Sequence, residues 1–171
     1  MRAAIAVMLL AAGQAQALSC VQPDPLGALR DAIAAPERWL VIHGRLDVDP
    51  NAFPDGGPPG PPGDGSEDGG PAMGMPDRIL PPVPVRIEGL ALSLTGFDHP
   101  VAMSLAMRPV CLGPWCGSAS AGDWLVFAHE AAGGAWEVEV GPCGGAMFHD
   151  PDQGTLDALA ECMAGRGCAA P

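Results

Sequence analysis

The chain of 171 residues contains no lysine and no tyrosine, and all eight of its positive charges are arginines. These absences exclude a lysine nucleophile and a tyrosine acid from any chemistry that the protein performs. Charged residues make up 16% of the chain, and twenty acids against eight arginines give a formal net charge of −12. A surface of this sign repels the phosphate backbone, so nucleic acid is not an expected partner.

Long hydrophobic runs are also missing after the first segment, residues 1–17, which has the pattern of a secretory signal peptide. Arg2 supplies its positive charge, and the ten apolar residues at 3–12 are too few for a membrane span, which needs about 20 residues. Ala15-Gln16-Ala17 is typical of a cleavage site. The sequence therefore predicts an exported protein, periplasmic or secreted, with no transmembrane segment.

Leu18-Ser19-Cys20 is similar to the end of a lipobox, the motif that directs acylation of a cysteine. Leucine is usual three places before that cysteine, and Ala17 stands there instead. Acylation of Cys20 would also leave an odd number of cysteines. We therefore expect no lipid anchor at Cys20.

The number of cysteines in the chain is even, which in an exported protein predicts three disulfides. They are Cys20, Cys111, Cys116, Cys143, Cys162 and Cys168. Short spacings favour a bond between Cys111 and Cys116 and another between Cys162 and Cys168. Cys20 then pairs with Cys143, or with Cys116 if those two partners are exchanged. The two close pairs could instead be metal ligands, but neither has the Cys-x2-Cys spacing of most zinc modules. We expect no cofactor.

Glycine and proline are concentrated in residues 51–82, where they account for 17 of 32 positions. Proline lacks a backbone donor and glycine loses much entropy on ordering, so this stretch is predicted to form a disordered loop. Only about 33 residues separate the predicted cleavage site from this loop, too few to hold a core of their own. We therefore expect one domain over residues 18–171 that carries the loop as an insertion.

A short helix is predicted after Asp24-Pro25, a capping residue followed by proline at the first helical position. Leu26, Leu29 and Ile33 then recur at helical spacing. A second helix is predicted near the C-terminus, with Asp152 or Thr155 as its cap and Gly165 at its end. The residues on its apolar face are Leu156, Leu159, Ala160 and Met163.

Alternation predicts strands between the two helices at residues 40–48, 83–88, 101–107 and 136–140, and the apolar run at 124–128 predicts another. In the first strand Leu40 and Ile42 are expected to face inward and Val41 outward, with Gly44 at an inward position where the sheet bends. About five short strands with one helix at each end predict a mainly β fold. We expect a small, OB-like β-barrel stapled by disulfides.

The order of three features resembles the netrin-like module of tissue inhibitors of metalloproteinases. They are the pair Cys116-Gly117 before a strand at 124–128, a second strand from Trp136 that leads into Cys143, and a final helix that ends near Cys168. The resemblance covers about residues 20–168, with the proline-rich loop as an insertion. It implies an OB-fold barrel with flanking helices, held by disulfides, in an exported protein.

In those inhibitors the mature chain begins with Cys-x-Cys, and the amine and carbonyl of the first cysteine chelate the zinc of the protease. Cys20 is the matching position, but Gln22 stands where the second cysteine would be. Cleavage after Ala17 would also leave Leu18 and Ser19 ahead of Cys20, which blocks the chelating amine. The resemblance therefore implies the fold, and protease inhibition only by analogy.

No motif for catalysis is present: the chain has no Gly-x-Ser-x-Gly elbow, no His-Glu-x-x-His and no phosphate-cradling glycine loop. We therefore expect a non-enzymatic binding or structural module that contacts another exported protein. Trp115 is the candidate contact residue, because tryptophan is a common hot spot; alternatively, it packs against the neighbouring disulfide.

The alternative function is copper handling in the periplasm, with Met73, Met75 and His149 as candidate ligands. Thioethers are soft ligands that suit Cu(I), and an exported protein can meet copper there. His149 stands in the polar run His149-Asp150-Pro151-Asp152. The simpler interpretation of that run is a turn that caps the last helix.

Overall fold

The computed structural model describes residues 20, 23–49, 51–53, 78–112 and 115–168. The predicted signal peptide, most of the predicted loop, and the candidate ligands Met73 and Met75 lie outside the described residues. In the part of the chain that is described, no helix is both long and apolar enough to cross a membrane.

In the described ranges, two helices flank a sheet of nine strands. The helices are α1 (Pro25–Ala34) and α2 (Gln153–Met163). The strands are β1 (Trp39–Asp47), β2 (Arg78–Ile79), β3 (Val83–Ser93), β4 (Gly96–Leu112), β5 (Trp115–Cys116), β6 (Gly122–Glu130), β7 (Trp136–Gly141), β8 (Gly144–Gly145) and β9 (Met147–His149).

Five of these strands pair in a path that returns to its start. Antiparallel pairing joins β4 to β3, β3 to β1, β1 to β6 and β6 to β7. The last strand, β7, then pairs in parallel with β4, from Ala106 opposite Glu137 to Pro109 opposite Val140. The β6–β7 seam is short, with two opposed residue pairs. A five-stranded, partly open Greek-key arrangement of this kind is OB-like, so the predicted fold class is confirmed.

Apolar side chains form two cores, one inside the barrel and one beneath the helices. Ile42, Leu46 and Ile87 are fully buried in the first. The second core joins α1 and α2 to the outer face of β1 and β6. The prediction that Val41 faces solvent was therefore wrong: it is 4% exposed, because the helices cover that side of β1. Ile33, on the expected apolar face of α1, is instead 56% exposed.

Both helices begin at the predicted aspartates. The carboxylate of Asp24 accepts hydrogen bonds from the backbone amides of Leu26 and Gly27, and Asp152 accepts one from Thr155 at 2.7 Å. These bonds satisfy amides that have no partner within the helix. Of the two caps considered for α2, the structure selects Asp152.

All six cysteines form disulfides, in the first of the two pairings that the spacing allows. The pairs are Cys20–Cys143, Cys111–Cys116 and Cys162–Cys168, with Cα–Cα distances of 5.3, 3.9 and 4.4 Å. The sulfur of Cys20 is bonded to that of Cys143, and the absence of a lipid anchor stays a prediction.

The predicted loop overlaps an ordered strand at its C-terminal end. Residues 78 and 79, inside the expected boundary of 51–82, form β2 and pair with Cys111 and Val110 of β4. The sequence missed this strand because two residues are too few for a visible alternation. The polypeptide that follows the undescribed part of the loop is thus fixed to the end of β4.

Candidate functional site

The end of β4 forms a three-stranded ribbon with β2 and β5. At 17 residues, β4 is the longest strand, and β2 lies along one side of its end through Ile79 opposite Val110. The short β5 lies along the other side, where Leu112 faces Trp115. A disulfide joins the opposed residues Cys111 and Cys116 and pins β5 in place.

One face of this ribbon is apolar and exposed. Opposed residues of paired strands share a face, and so do residues two apart on a strand. We name as the ribbon face the four side chains that this rule places together: Ile79, Val110, Leu112 and Trp115. Ile79 is 63% exposed, and Leu112 and Trp115 are each 36% exposed. Three of the six exposed large hydrophobic residues in the described part of the chain therefore lie on this one face.

Trp115 also lines a cleft of about 440 Å³ beside the ribbon. We call it the aromatic cleft, and its walls include Trp115, Cys116, Ser118, Trp124, Met147 and His149. The end of β7 and the turn that follows it also line the cleft, through Val140, Gly141 and Pro142. Clefts that combine aromatic walls with a few polar groups are the usual form of a binding site.

A hydrogen-bonded framework holds the inner wall of the aromatic cleft. The rings of Trp124 and His149 meet edge to face, with their centroids 4.8 Å apart, on opposed positions of β6 and β9. The indole Nε1 of Trp124 donates to the backbone oxygen of Ser120 at 2.9 Å. Atom Nδ1 of His149 lies 3.1 Å from a carboxylate oxygen of Asp150. Both side chains are thus held in fixed orientations.

Asp150 is held in an uncommon backbone conformation at the rim of the aromatic cleft. Its φ of +45° is the only positive value for a non-glycine residue in the described ranges. The amide of Asp150 donates to the backbone oxygen of Asp123 at 3.0 Å, which helps to fix this geometry. Left-handed backbone at a non-glycine residue often accompanies a functional site.

The structure brings together two of the residues singled out by sequence, Trp115 and His149. The expectation that His149 belongs to a capping turn was wrong in part: Asp152 caps α2, whereas His149 ends β9 and lines the aromatic cleft. Trp115 stands next to the disulfide-bonded Cys116 and is 36% exposed, and its role as a contact residue stays a prediction. Sequence reasoning missed Trp124 and Met147 as wall residues, because an apolar run indicates a strand and not what it encloses, and β9 with three residues is too short to predict.

Two of the other three histidines, His43 and His99, also lie beside carboxylates. Nε2 of His43 is 3.0 Å from Asp123, and Nδ1 of His99 is 2.7 Å from Asp98. Asp98 also accepts from Thr95 and Ser93, and the hydrogen bonds from Thr95, His99 and Ser93 hold the pKa of this carboxyl well below its usual range. The hydroxyl of Ser93 therefore donates to a carboxylate and not to an imidazole. That order does not give a serine activated by histidine.

Within the described ranges, no three histidine, cysteine, aspartate or glutamate side chains group as a metal site. His149 is the one candidate copper ligand that these ranges include, so copper binding through Met73 and Met75 stays a prediction. Comparison of the chain with protein-family models, curated proteins and solved structures gives no match.

Proposed function

We propose that this protein is an exported, non-enzymatic binding module that docks another exported protein on the ribbon face and the aromatic cleft. The observation that carries the proposal is the position of Trp115, which belongs to both surfaces and is 36% exposed. Tryptophan buries a large area at low entropic cost, and exposed apolar patches with polar borders mark interaction sites. Trp115 is the central contact of the proposed interface.

Two further observations support this proposal. The disulfide between Cys111 and Cys116 holds β5 against β4, so Trp115 is presented in advance and loses little freedom on binding. The six cysteines are all oxidised, which supports an oxidising compartment and leaves no thiol nucleophile. A rigid oxidised scaffold with an exposed aromatic anchor is suited to recognition.

Capture from the exported fraction of the source cell tests the docking surface. The mature protein, its Trp115→Ala variant and its Leu94→Ala variant are immobilised at equal density. Leu94 is 73% exposed in the turn between β3 and β4 and serves as the matched control for loss of an exposed apolar side chain. We expect the native chain and Leu94→Ala to retain at least one protein in similar amounts. The amount retained by Trp115→Ala should be lower by about tenfold or more, as for a hot spot.

An equal profile for all three proteins would contradict the proposed surface. Near-ultraviolet circular dichroism shows whether Trp115→Ala keeps the native fold, because the other three tryptophans report on the packing. The export part of the proposal is tested separately by mass spectrometry of the protein recovered from outside the cytoplasm. We expect the mass of residues 18–171 with two hydrogens fewer for each disulfide; an intact N-terminus or free thiols would contradict export.

A further inference from the structure

We infer that the partner presents a basic segment whose arginine or lysine side chain stacks on the indole of Trp115. This inference rests on the proposed function, because it names the chemistry of the partner at the same surface. Three features of the molecule carry it: the charge balance, the composition of the aromatic cleft and the apolar border that the ribbon face supplies.

The positive charge of the protein is already matched by its own carboxylates. Each of the six arginines with a described side chain has an acidic partner: ion pairs join Arg30–Asp24, Arg38–Glu130, Arg108–Glu137 and Arg166–Glu161, and strand pairing sets Arg45 opposite Glu88 and Arg86 opposite Asp47. Twenty acids against eight arginines leave the whole chain with a formal surplus of twelve negative charges. A field of this sign accelerates encounter with a basic partner and opposes encounter with an acidic one.

Part of that surplus lies next to the aromatic cleft. Asp150 is exposed, and one of its carboxylate oxygens lies 3.1 Å from Nδ1 of His149, which lines the cleft. The lining residues themselves include no carboxylate and no arginine. A cation would therefore be attracted by the border and would meet an aromatic surface inside it.

The indole of Trp115 is suited to hold such a cation. The face of an aromatic ring is negative, and tryptophan binds cations best among the aromatic side chains. Guanidinium is planar and weakly hydrated, so it stacks on a ring at a modest desolvation cost. The alkyl stem of arginine or lysine is apolar and can lie along Leu112 and Ile79 of the ribbon face. One amphipathic side chain thus matches both halves of the surface.

The test uses a short glycine–serine peptide with arginine at every third position as its probe. The matched peptide carries citrulline, which has nearly the same shape without the charge. Calorimetry measures Kd for the native protein and for Trp115→Phe, Trp115→Leu and Leu94→Ala. We expect Trp115→Leu to raise the Kd of the arginine peptide about fivefold or more. Trp115→Phe and Leu94→Ala should raise this Kd less. The citrulline peptide should bind at least about tenfold more weakly than the arginine peptide.

Salt provides a second readout. Raising the ionic strength from about 0.01 M to about 0.15 M shortens the screening length from about 30 Å to about 8 Å, so Kd of the arginine peptide should rise clearly. Equal binding of the citrulline peptide, or no effect of Trp115→Leu, would overturn the inference. Binding of choline as tight as that of the peptide would also overturn it, because a small cation would then be the ligand.

The two proposals can fail separately. If Trp115→Ala abolishes capture of a native partner while the arginine and citrulline peptides bind alike, docking stands and the basic character of the partner is wrong. If the peptide binds through Trp115 while capture of exported proteins does not depend on that residue, the proposed protein partner is wrong.

Discussion

At the scale of single residues, two glycines determine how closely β1 and β3 approach. Gly44 and Gly89 are directly opposed across these strands. A Cβ atom at Gly44 would lie 2.3 Å from the backbone oxygen of Glu88, and one at Gly89 would lie 2.2 Å from that of His43. Neither backbone atom can move aside without opening the barrel. The glycine expected at an inward-facing bend of β1 therefore permits a close crossing of two strands.

Gly44→Ala should consequently destabilise the protein strongly. Because the backbone must move to admit the new methyl group, we expect one of the larger effects of a single substitution. The free energy of unfolding should fall by about 3 kcal/mol or more. Urea denaturation followed by tryptophan fluorescence measures it. Gly154→Ala in α2 is the control, because its new Cβ would meet only a side-chain oxygen of Asp152, at 3.3 Å. A loss at Gly44 no larger than at Gly154 would contradict the close crossing.

Sequence predicts a residue's spacing better than its surroundings, as Val41 and Ile33 show. Alternation assigned Val41 to the outside of β1, which is correct for the barrel but ignores the helices that cover this side. Helical spacing assigned Ile33 to the buried face of α1, yet this side chain is mostly exposed. Both errors concern which neighbour covers a surface, and that is fixed by contacts distant in sequence.

At the scale of elements, an ion pair supports the parallel contact that completes the barrel path. Arg108 of β4 donates to both carboxylate oxygens of Glu137 on β7, at 2.5 and 2.7 Å. The side chain of Glu137 is only 13% exposed. The hydrogen bonds from Arg108 lower the pKa of Glu137 from its ordinary value of 4.5. A two-pronged contact of this kind also fixes the register of the strands.

Glu137→Gln should therefore lower the melting temperature near pH 7, and the difference from the native protein should shrink in acid. A carboxyl whose folded pKa is depressed stabilises the fold above its unfolded pKa, and that contribution is lost as the pH falls through the folded value. The difference should accordingly be constant above about pH 5.5 and decline below pH 4.5. Differential scanning calorimetry across this range measures it. Glu37→Gln, at an exposed position before β1, is the control, and an equal effect of both variants would contradict the contact.

The long elements were predictable from the sequence, and the short ones were not. The strands β1, β3 and β7 show alternation, β6 contains a run of five apolar residues, and both helices carry capping aspartates. By contrast, β2, β5, β8 and β9 have two or three residues each, and they depend on pairing with longer strands. The aromatic cleft is built largely from these short strands and the turns between them. Its walls join residues from 115 to 149, so no local pattern could have revealed it.

At the scale of the whole molecule, the three disulfides differ in how much chain they enclose. Cys20 and Cys143 are 123 residues apart, and their bond ties the segment before α1 to the turn that follows β7. Pro23 lies close to Gly144 in that turn, since a Cβ there would be 3.3 Å from the proline ring. The other two disulfides enclose separations of 5 and 6 residues and act locally. The N-terminal bond is therefore the one that connects distant parts of the fold.

Removal of the Cys20–Cys143 bond should cost more stability than removal of Cys162–Cys168. Loop-closure entropy predicts a loss of about 5 kcal/mol for a separation of 123 residues and about 2 kcal/mol for one of 6. Urea denaturation of the two double alanine variants measures both losses. Cys162 is buried, so its variant also loses packing, and this narrows the expected gap without reversing it. A larger loss of stability on removal of Cys162–Cys168 would contradict this ranking. It would mean that the end of α2 contributes more to the free energy of unfolding than the link from the N-terminal segment to the turn after β7.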